Sequence, residues 1–225
     1  MQVALVTVGD EILAGDTINT NAAWLGRELA ERGVDVERVT VVPDRVEDIA
    51  DVVGDYHAAY DAVIVTGGLG PTHDDVTMAG VAAAFDRDVA ESEEALRWLA
   101  EDGYSRDDLT EGTADVPEGA RVLPNREGVA PGCVVENCYV LPGVPDEMKR
   151  MFEDVAGEFA GEARHVAVVD ADEPESALLD RIAELRERFP VTVGSYPGDS
   201  VSVKIQGTDA DAVEEAAAWL DERVE

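Results

Sequence analysis

Apolar residues along this chain fall into two alternating periods. Val3 to Val8 is a near-continuous apolar run, which suits a strand covered on both faces, and it ends at Gly9-Asp10-Glu11. Asn19 or Thr20 can then cap a helix whose Ala22, Leu25 and Leu29 share one face and which Gly33 stops. Val34 to Val42 is a second strand, Ile49, Val52, Val53 and Tyr56 mark a second helix, and Ala62 to Val65 is a third strand. Past a glycine-rich turn, helices are expected over residues 76–85 and 91–101. Residues 104–119 are acidic, rich in turn formers and without a periodic apolar face, so they read as a loop or lid.

Val122-Leu123 opens a short strand, and the stretch from Val134 to Val140 reads as a hairpin turning at Glu136-Asn137, where Gly is the more usual turn residue. Leu141 leads through Pro142-Gly143-Val144-Pro145 into a helix with Met148, Met151, Phe152 and Val155 inward. Around Gly161 the character changes. A strand (166–169), a helix (176–189), two strands (191–195 and 201–205) and a last helix (210–224) make a βαββα block able to bury one sheet face under two helices. The division expected is a larger α/β domain over residues 1–161 and a small α+β domain over 162–225.

Charge narrows the partners. The 225 residues carry 50 acidic against 17 basic side chains, a net charge of -33, and Lys149 and Lys204 are the only lysines. Such a surface repels nucleic acid and anionic membranes, because phosphate-backbone binding depends on clustered Lys and Arg. Hydrophobic residues make up 45% of the chain, which argues against disorder as the meaning of the acidity. Spread evenly over outer faces, the acidity resembles that of proteins from salt-accumulating halophiles. No secretory signal or apolar stretch near 18 residues is evident, so a cytoplasmic protein with reduced Cys133 and Cys138 is expected. The three histidines, His57, His73 and His165, show no zinc-like spacing with those cysteines, and His73 reads as an exposed bystander.

Chemistry concentrates at strand ends. In Thr66 to Thr77, T-G-G-L-G-P-T-H-D-D-V-T, a buried strand empties into a turn whose Gly67, Gly68 and Gly70 let backbone amides approach an anion. Asp74 and Asp75 stand beside that anion cradle, and Gly9-Asp10-Glu11 leaves the first strand as this turn leaves the third. Solvated turns and helix caps account for such carboxylates equally well one at a time; together they suit a phosphate-bound divalent cation held by oxygen ligands alone. A Walker-type phosphate loop is absent. The Pro- and Gly-rich stretches 124–132 and 141–148 read as ordinary turns, although Asn125 could donate to and accept from a base or pterin ring and the Gly143 backbone could approach one.

In this order and spacing, G-D-E-I-L-A-G, N-T-N-A, T-G-G-L-G-P-T-H-D-D-V-T, N-R-E-G-V-A-P-G and L-P-G-V-P-D-E-M resemble the N-terminal domain of the competence/damage-inducible protein A (CinA) family. That domain lies within the molybdopterin-binding superfamily, with MoaB and MogA. The resemblance covers residues 1 to about 160, and the tail is similar to the small KH-like domain that follows in the same family. It implies a three-layer αβα domain with a mostly parallel sheet, then the KH-like βαββα domain, which lacks a basic G-x-x-G loop for RNA.

The implied activity is metal-dependent hydrolysis of ADP-ribose-like dinucleotide diphosphates. Asp10, Glu11, Asp74 and Asp75 would be catalytic, with Asp10, Glu11 and Asp75 on a divalent Mg, Mn or Co ion. Thr66, Gly67, Gly68, Gly70 and Thr72 would cradle the diphosphate, while Asn21, Asn125, Gly143 and Pro145 would line the nucleoside side. Because Asp75 also matches the aspartate of the MogA-type T-G-G-x-G motif, molybdopterin binding or adenylylation stays open, as does a non-catalytic nucleotide-binding module. The resemblance implies a homo-oligomer. Family members often carry a nicotinamide mononucleotide deamidase domain, which does not follow Glu225 here, so deamidation is not expected.

Overall fold

An apolar run without alternation has to be an interior strand, and β1 (Gln2–Val8) is one: in the computed structural model Val3, Ala4 and Val6 have no exposed surface. The structure describes all residues except Pro71, His73, Ala163 and Glu225, and only the backbone of Asp108. His73, expected to be a bystander, therefore lies outside the described residues. The chain divides into two compact units, Met1–Ala30 with Val34–Ala160, and Glu31–Gly33 with Gly161–Glu225.

In the larger unit β1 is followed by a four-residue helix α1 (Asp10–Leu13), α2 (Thr20–Glu31), β2 (Asp35–Val42), α3 (Val46–Ala59), β3 (Ala62–Thr66) and α4 (Thr77–Ala84). Then come β4 (Val89–Glu91), α5 (Glu93–Glu101), β5 (Asp115–Pro117), β6 (Arg121–Leu123), β7 (Gly132–Val135), β8 (Cys138–Leu141) and α6 (Pro145–Val155). Six strands form one sheet in the order β2-β1-β3-β8-β7-β6. The pairs β1–β2, β1–β3 and β3–β8 are parallel, while β7, antiparallel to β8, and β6, antiparallel to β7, add an antiparallel edge.

Period 2 in the strands divides the core. Val3, Leu5 and Ile64 pack under Leu25 and Leu29 of α2 and Met148, Met151 and Phe152 of α6. Val6, Val63 and Val65 face the opposite way, against Ile49 and Val53 of α3, Val81 of α4 and Leu99 of α5. Two helical layers thus cover both faces of the sheet, the three-layer αβα arrangement.

Two local expectations are corrected. The stretch opening at Glu91 is not yet helical: Ser92 caps α5 by accepting the Ala95 N–H (3.3 Å), and Val89–Glu91 pairs with β5 in a two-stranded ribbon. Residues 104–119, read as a loop or lid, include β5, anchored by buried Ala114 and Val116. The hairpin does turn at Glu136-Asn137, with Glu136 at φ 52°. Beside it, Asn137 Nδ2 donates to the carbonyls of His57 (3.2 Å), Tyr60 (3.0 Å) and Asp61 (3.3 Å), tying the turn to the end of α3.

The smaller unit contains β9 (His165–Ala171), α7 (Glu175–Arg188), β10 (Thr192–Pro197), β11 (Val201–Gly207) and α8 (Ala210–Asp221). Its antiparallel sheet, ordered β10-β11-β9, buries Val169, Val203 and Ile205 under Leu178 and Leu185 of α7 and Ala216 and Leu220 of α8. No described helix in either unit is long and apolar enough to cross a membrane.

Candidate functional site

Parallel pairing places the carboxyl ends of β1, β3 and β8 side by side, and the loops that leave them converge. Thr7 and Thr66 are register partners on the last rungs of β1 and β3, on the face that also carries Val3, Leu5, Ala62 and Ile64. Thr66 Oγ1 donates to Thr7 Oγ1 (3.4 Å), and Asn19 Nδ2 donates to the same oxygen (3.0 Å). With both approaches occupied by donors, the Thr7 proton is left to donate elsewhere. Asn19 Oδ1 accepts the Ala22 N–H (3.1 Å), so Asn19 rather than Thr20 caps α2.

Gly67 shows why glycine is needed. Its φ of +100° lies in the left-handed region, and a Cβ there would run into the carbonyl oxygen of Val8. Gly67 N donates to Leu141 O (3.2 Å), while a Cβ on Gly143 would stand 3.1 Å from the Gly67 Cα. Asn21 Nδ2 in turn donates to Gly143 O (2.7 Å). The β3 loop, the β8 loop and the start of α2 are thereby locked together. Two polar oxygens in this assembly, Asn21 Oδ1 and Thr77 Oγ1, are buried and have no hydrogen-bond partner among the described residues.

A cavity of about 250 Å³ opens where these loops meet. Its wall includes Glu11, Asn21, Thr66, Gly67, Gly68, Asp74, Asp75, Gly143 and Pro145, nine of the residues expected from sequence. A second cavity of about 190 Å³ shares Gly68 and Asp75 with the first and takes in Gly70 and Thr72. Asp75 Oδ2 accepts the Thr72 N–H (3.0 Å) and the Thr72 hydroxyl, which folds the turn back on itself.

Two expected residues lie elsewhere. Asp10 is exposed at the start of α1 and lines neither cavity; what α1 turns toward the first cavity is Glu11, whose carboxylate lies 2.6 Å from where a Gly9 Cβ would be. Asn125 is buried and committed to its own turn. Its Nδ2 donates to Glu147 (2.7 Å) and Ala130 O (3.0 Å), and its Oδ1 accepts from Gly128 N (2.9 Å) and Glu127 N (3.3 Å). Nothing remains for a base or pterin ring.

Sequence reasoning missed Asp44, from the turn after β2. Its Oδ2 accepts the Asp10 N–H (2.7 Å), and its Oδ1 stands 3.6 Å from the position of a Gly68 Cβ, at the wall of the first cavity. The first cavity therefore has four carboxylates (Glu11, Asp44, Asp74, Asp75), several Thr hydroxyls and Asn amides, and no Lys or Arg among its described lining residues. Among the described residues, no three His, Cys, Asp or Glu side chains gather closely enough to hold a metal ion alone.

Residues 4–161 match the family described as "Probable molybdopterin binding domain". A crystal structure of the protein CinA, of unknown function, from Thermoplasma acidophilum superposes with a TM-score of 0.65 at 36% identity over 70% of this chain and 97% of that one. The chain belongs to this molybdopterin-binding family and is of the CinA type. A protein of Archaeoglobus fulgidus is 38% identical across 99% of this chain and 97% of its own length. A CinA-like protein of Gemmatimonas aurantiaca is 38% identical across the whole of this chain, which spans 58% of that longer relative.

In this CinA-type domain, Thr7 and Asp44 could have been found from sequence by pairing strands. Once β1, β2 and β3 are placed in parallel register, the last inward residue of β1 and the first acidic residue beyond β2 fall at the same end of the sheet as Thr66.

Proposed function

We propose that the larger unit binds a diphosphate joining two organic groups, with ADP-ribose as the type, and hydrolyses it between the phosphates with a divalent cation. The observation that supports this reading is the wall of the first cavity, where a glycine-loop backbone and neutral Thr and Asn side chains stand beside four carboxylates without Lys or Arg. Phosphate facing these carboxylates directly would be repelled. An ion of the Mg²⁺, Mn²⁺ or Co²⁺ kind removes the conflict. The donor set fits it, being oxygen only, and such ions commonly take one or two carboxylates with the rest of the shell from water and phosphate, so no preformed three-carboxylate cluster is required. Asp44 and Asp75 would hold the ion, with Asp74 beside them.

When bound, the cation would neutralise charge on the diphosphate and acidify a coordinated water. The chain's own residues do the rest. The Gly68 N–H and the Thr7 hydroxyl orient the phosphate oxygens. Glu11 takes the proton of the attacking water as its oxygen bonds to one phosphorus; the bridging P–O bond breaks, and its electron pair leaves with the other phosphate. From ADP-ribose the products are AMP and ribose 5-phosphate. A cytoplasmic, self-associating protein that binds neither nucleic acid nor membranes goes with this reading.

A second reading, molybdopterin binding or adenylylation, is favoured by the family description itself. Incubating the purified protein with ADP-ribose and Mg²⁺, Mn²⁺ or Co²⁺ decides between them. AMP release supports hydrolysis; intact substrate under every metal condition sinks it, and a fluorescent pterin that copurifies with the protein turns the assignment to the second reading.

A further inference from the structure

The second cavity brings together side chains that the first does not. Leu69, Met78 and Ala79 from the glycine loop and α4 line it, with Val89 from β4 and Pro131. The acidic segment 104–119 adds Glu111, Thr113 and Asp115. That segment is held in place rather than draped over the surface. Asp115 is paired with Glu91 across the β4–β5 ribbon, its N–H donates to Gly112 O (3.0 Å), and Ala114 and Val116 on either side of it are buried.

These walls select a chemical class. Apolar side chains with Met78 among them suit the faces of a flat ring. The charged groups along the edge are carboxylates, which accept hydrogen bonds and cannot donate them when ionised. The lining includes Leu69, Met78, Ala79, Val89 and Pro131 beside these carboxylates, which gives a ring more contact surface than a phosphate would use. A fused heterocycle bearing an amine satisfies both sets of residues, its faces on the apolar side chains and its N–H groups on Glu111 or Asp115. Gly68 and Asp75 belong to both cavities, so a ligand whose diphosphate lies in the first has a ring-sized space directly across the shared loop.

We propose that this second cavity is the ring subsite of the diphosphate ligand, reading an amine-bearing heterocycle, purine or pterin, through the carboxylates of Glu111 and Asp115. This rests on the proposed diphosphate reading of the first cavity but not on turnover. The ring is what the acidic 104–119 segment serves.

The test is equilibrium binding with Mg²⁺ present, using ADP-ribose and its hypoxanthine analogue, in which a ring carbonyl replaces the amine and would face a carboxylate oxygen to oxygen. The wild-type chain is expected to bind ADP-ribose about tenfold or more tightly than the analogue, the scale of one hydrogen bond to a charged partner. Glu111→Gln and Asp115→Asn together should cut that ratio to within about threefold while leaving inorganic pyrophosphate binding unchanged. Glu111 is exposed, so Glu111→Gln alone keeps the test open should the double variant not fold. Free 6-hydroxymethylpterin that displaces ADP-ribose more effectively than adenosine assigns the subsite to a pterin, and the reverse order assigns it to a purine. Equal affinity for ADP-ribose and its analogue, or a preference that persists undiminished in the variants, overturns the proposal even if AMP is released. Discrimination without AMP release sustains the ring subsite and removes hydrolysis; no binding of either ligand removes both.

Discussion

Replacing Gly67 by alanine probes the joint on which the first cavity depends. Two penalties add. A non-glycine residue at φ +100° costs about 1–2 kcal/mol from its left-handed backbone, and forcing a Cβ against the Val8 carbonyl adds about 1–3 kcal/mol of overpacking, because backbone rather than a flexible side chain has to move. Gly103 is the natural control: its φ is +95°, yet a Cβ there meets nothing within 4 Å among the described residues, so Gly103→Ala bears the first penalty alone. Both glycines lie in the larger unit, so one unfolding transition reports on both. At roughly 2–4 °C per kcal/mol for a unit of this size, Gly67→Ala should lower the melting temperature by about 4–20 °C and Gly103→Ala by about 2–8 °C. Thermal unfolding followed by circular dichroism measures the difference. Ligand affinity should fall about 100-fold in Gly67→Ala, as the loop is pushed off its position, and hold steady in Gly103→Ala. Equal destabilisation by the two substitutions would refute the crowding argument.

Three further outcomes are expected. Asp75→Asn should lower ADP-ribose turnover by at least about 100-fold with little change in melting temperature, since an amide oxygen can still accept the Thr72 N–H; turnover within a factor of a few of wild type would remove Asp75 from the site. Burial pushes the Cys133 thiol from 9.0 up to about 12, and burial together with the hydrogen bond to Glu158 pushes the Tyr139 phenol from 10.0 to about 12. Both folded values exceed the unfolded ones, so this stability is fully present below about pH 9 and is lost as the pH rises toward 12; denaturation midpoints that stay flat from pH 9 to 12 would contradict it. A chain of charge -33 should also gain stability in molar KCl, where the Debye length falls to about 3 Å, and a melting temperature that does not rise with KCl would count against the halophile resemblance.

How much was legible in the sequence depended on distance along the chain. The six-stranded sheet follows from runs such as Val3 to Val8 and Ala62 to Val65, whose apolar content admits few other environments. Gly67 and Gly68 stood out because a turn needing positive φ leaves glycine as the usual choice. The ribbon of β4 and β5 did not stand out: three-residue strands carry too little periodicity, and its pairing joins residues about 25 positions apart. Asn125 misled because an amide able to contact a ring is equally able to close its own turn, and only its four partners decide between the two. Asp44 went unnoticed as one acidic residue among 50, distinguished only by where parallel pairing delivers it.

The central claim is that a cation joins the diphosphate to the carboxylates of the first cavity. Calorimetric titration of ADP-ribose into the protein, with Mg²⁺ and again with excess chelator, tests it most directly. Micromolar-scale binding with Mg²⁺ that falls at least about 100-fold under chelation is the result predicted here; the same affinity in both conditions would mean that the phosphates are held without a cation, and the account would be wrong.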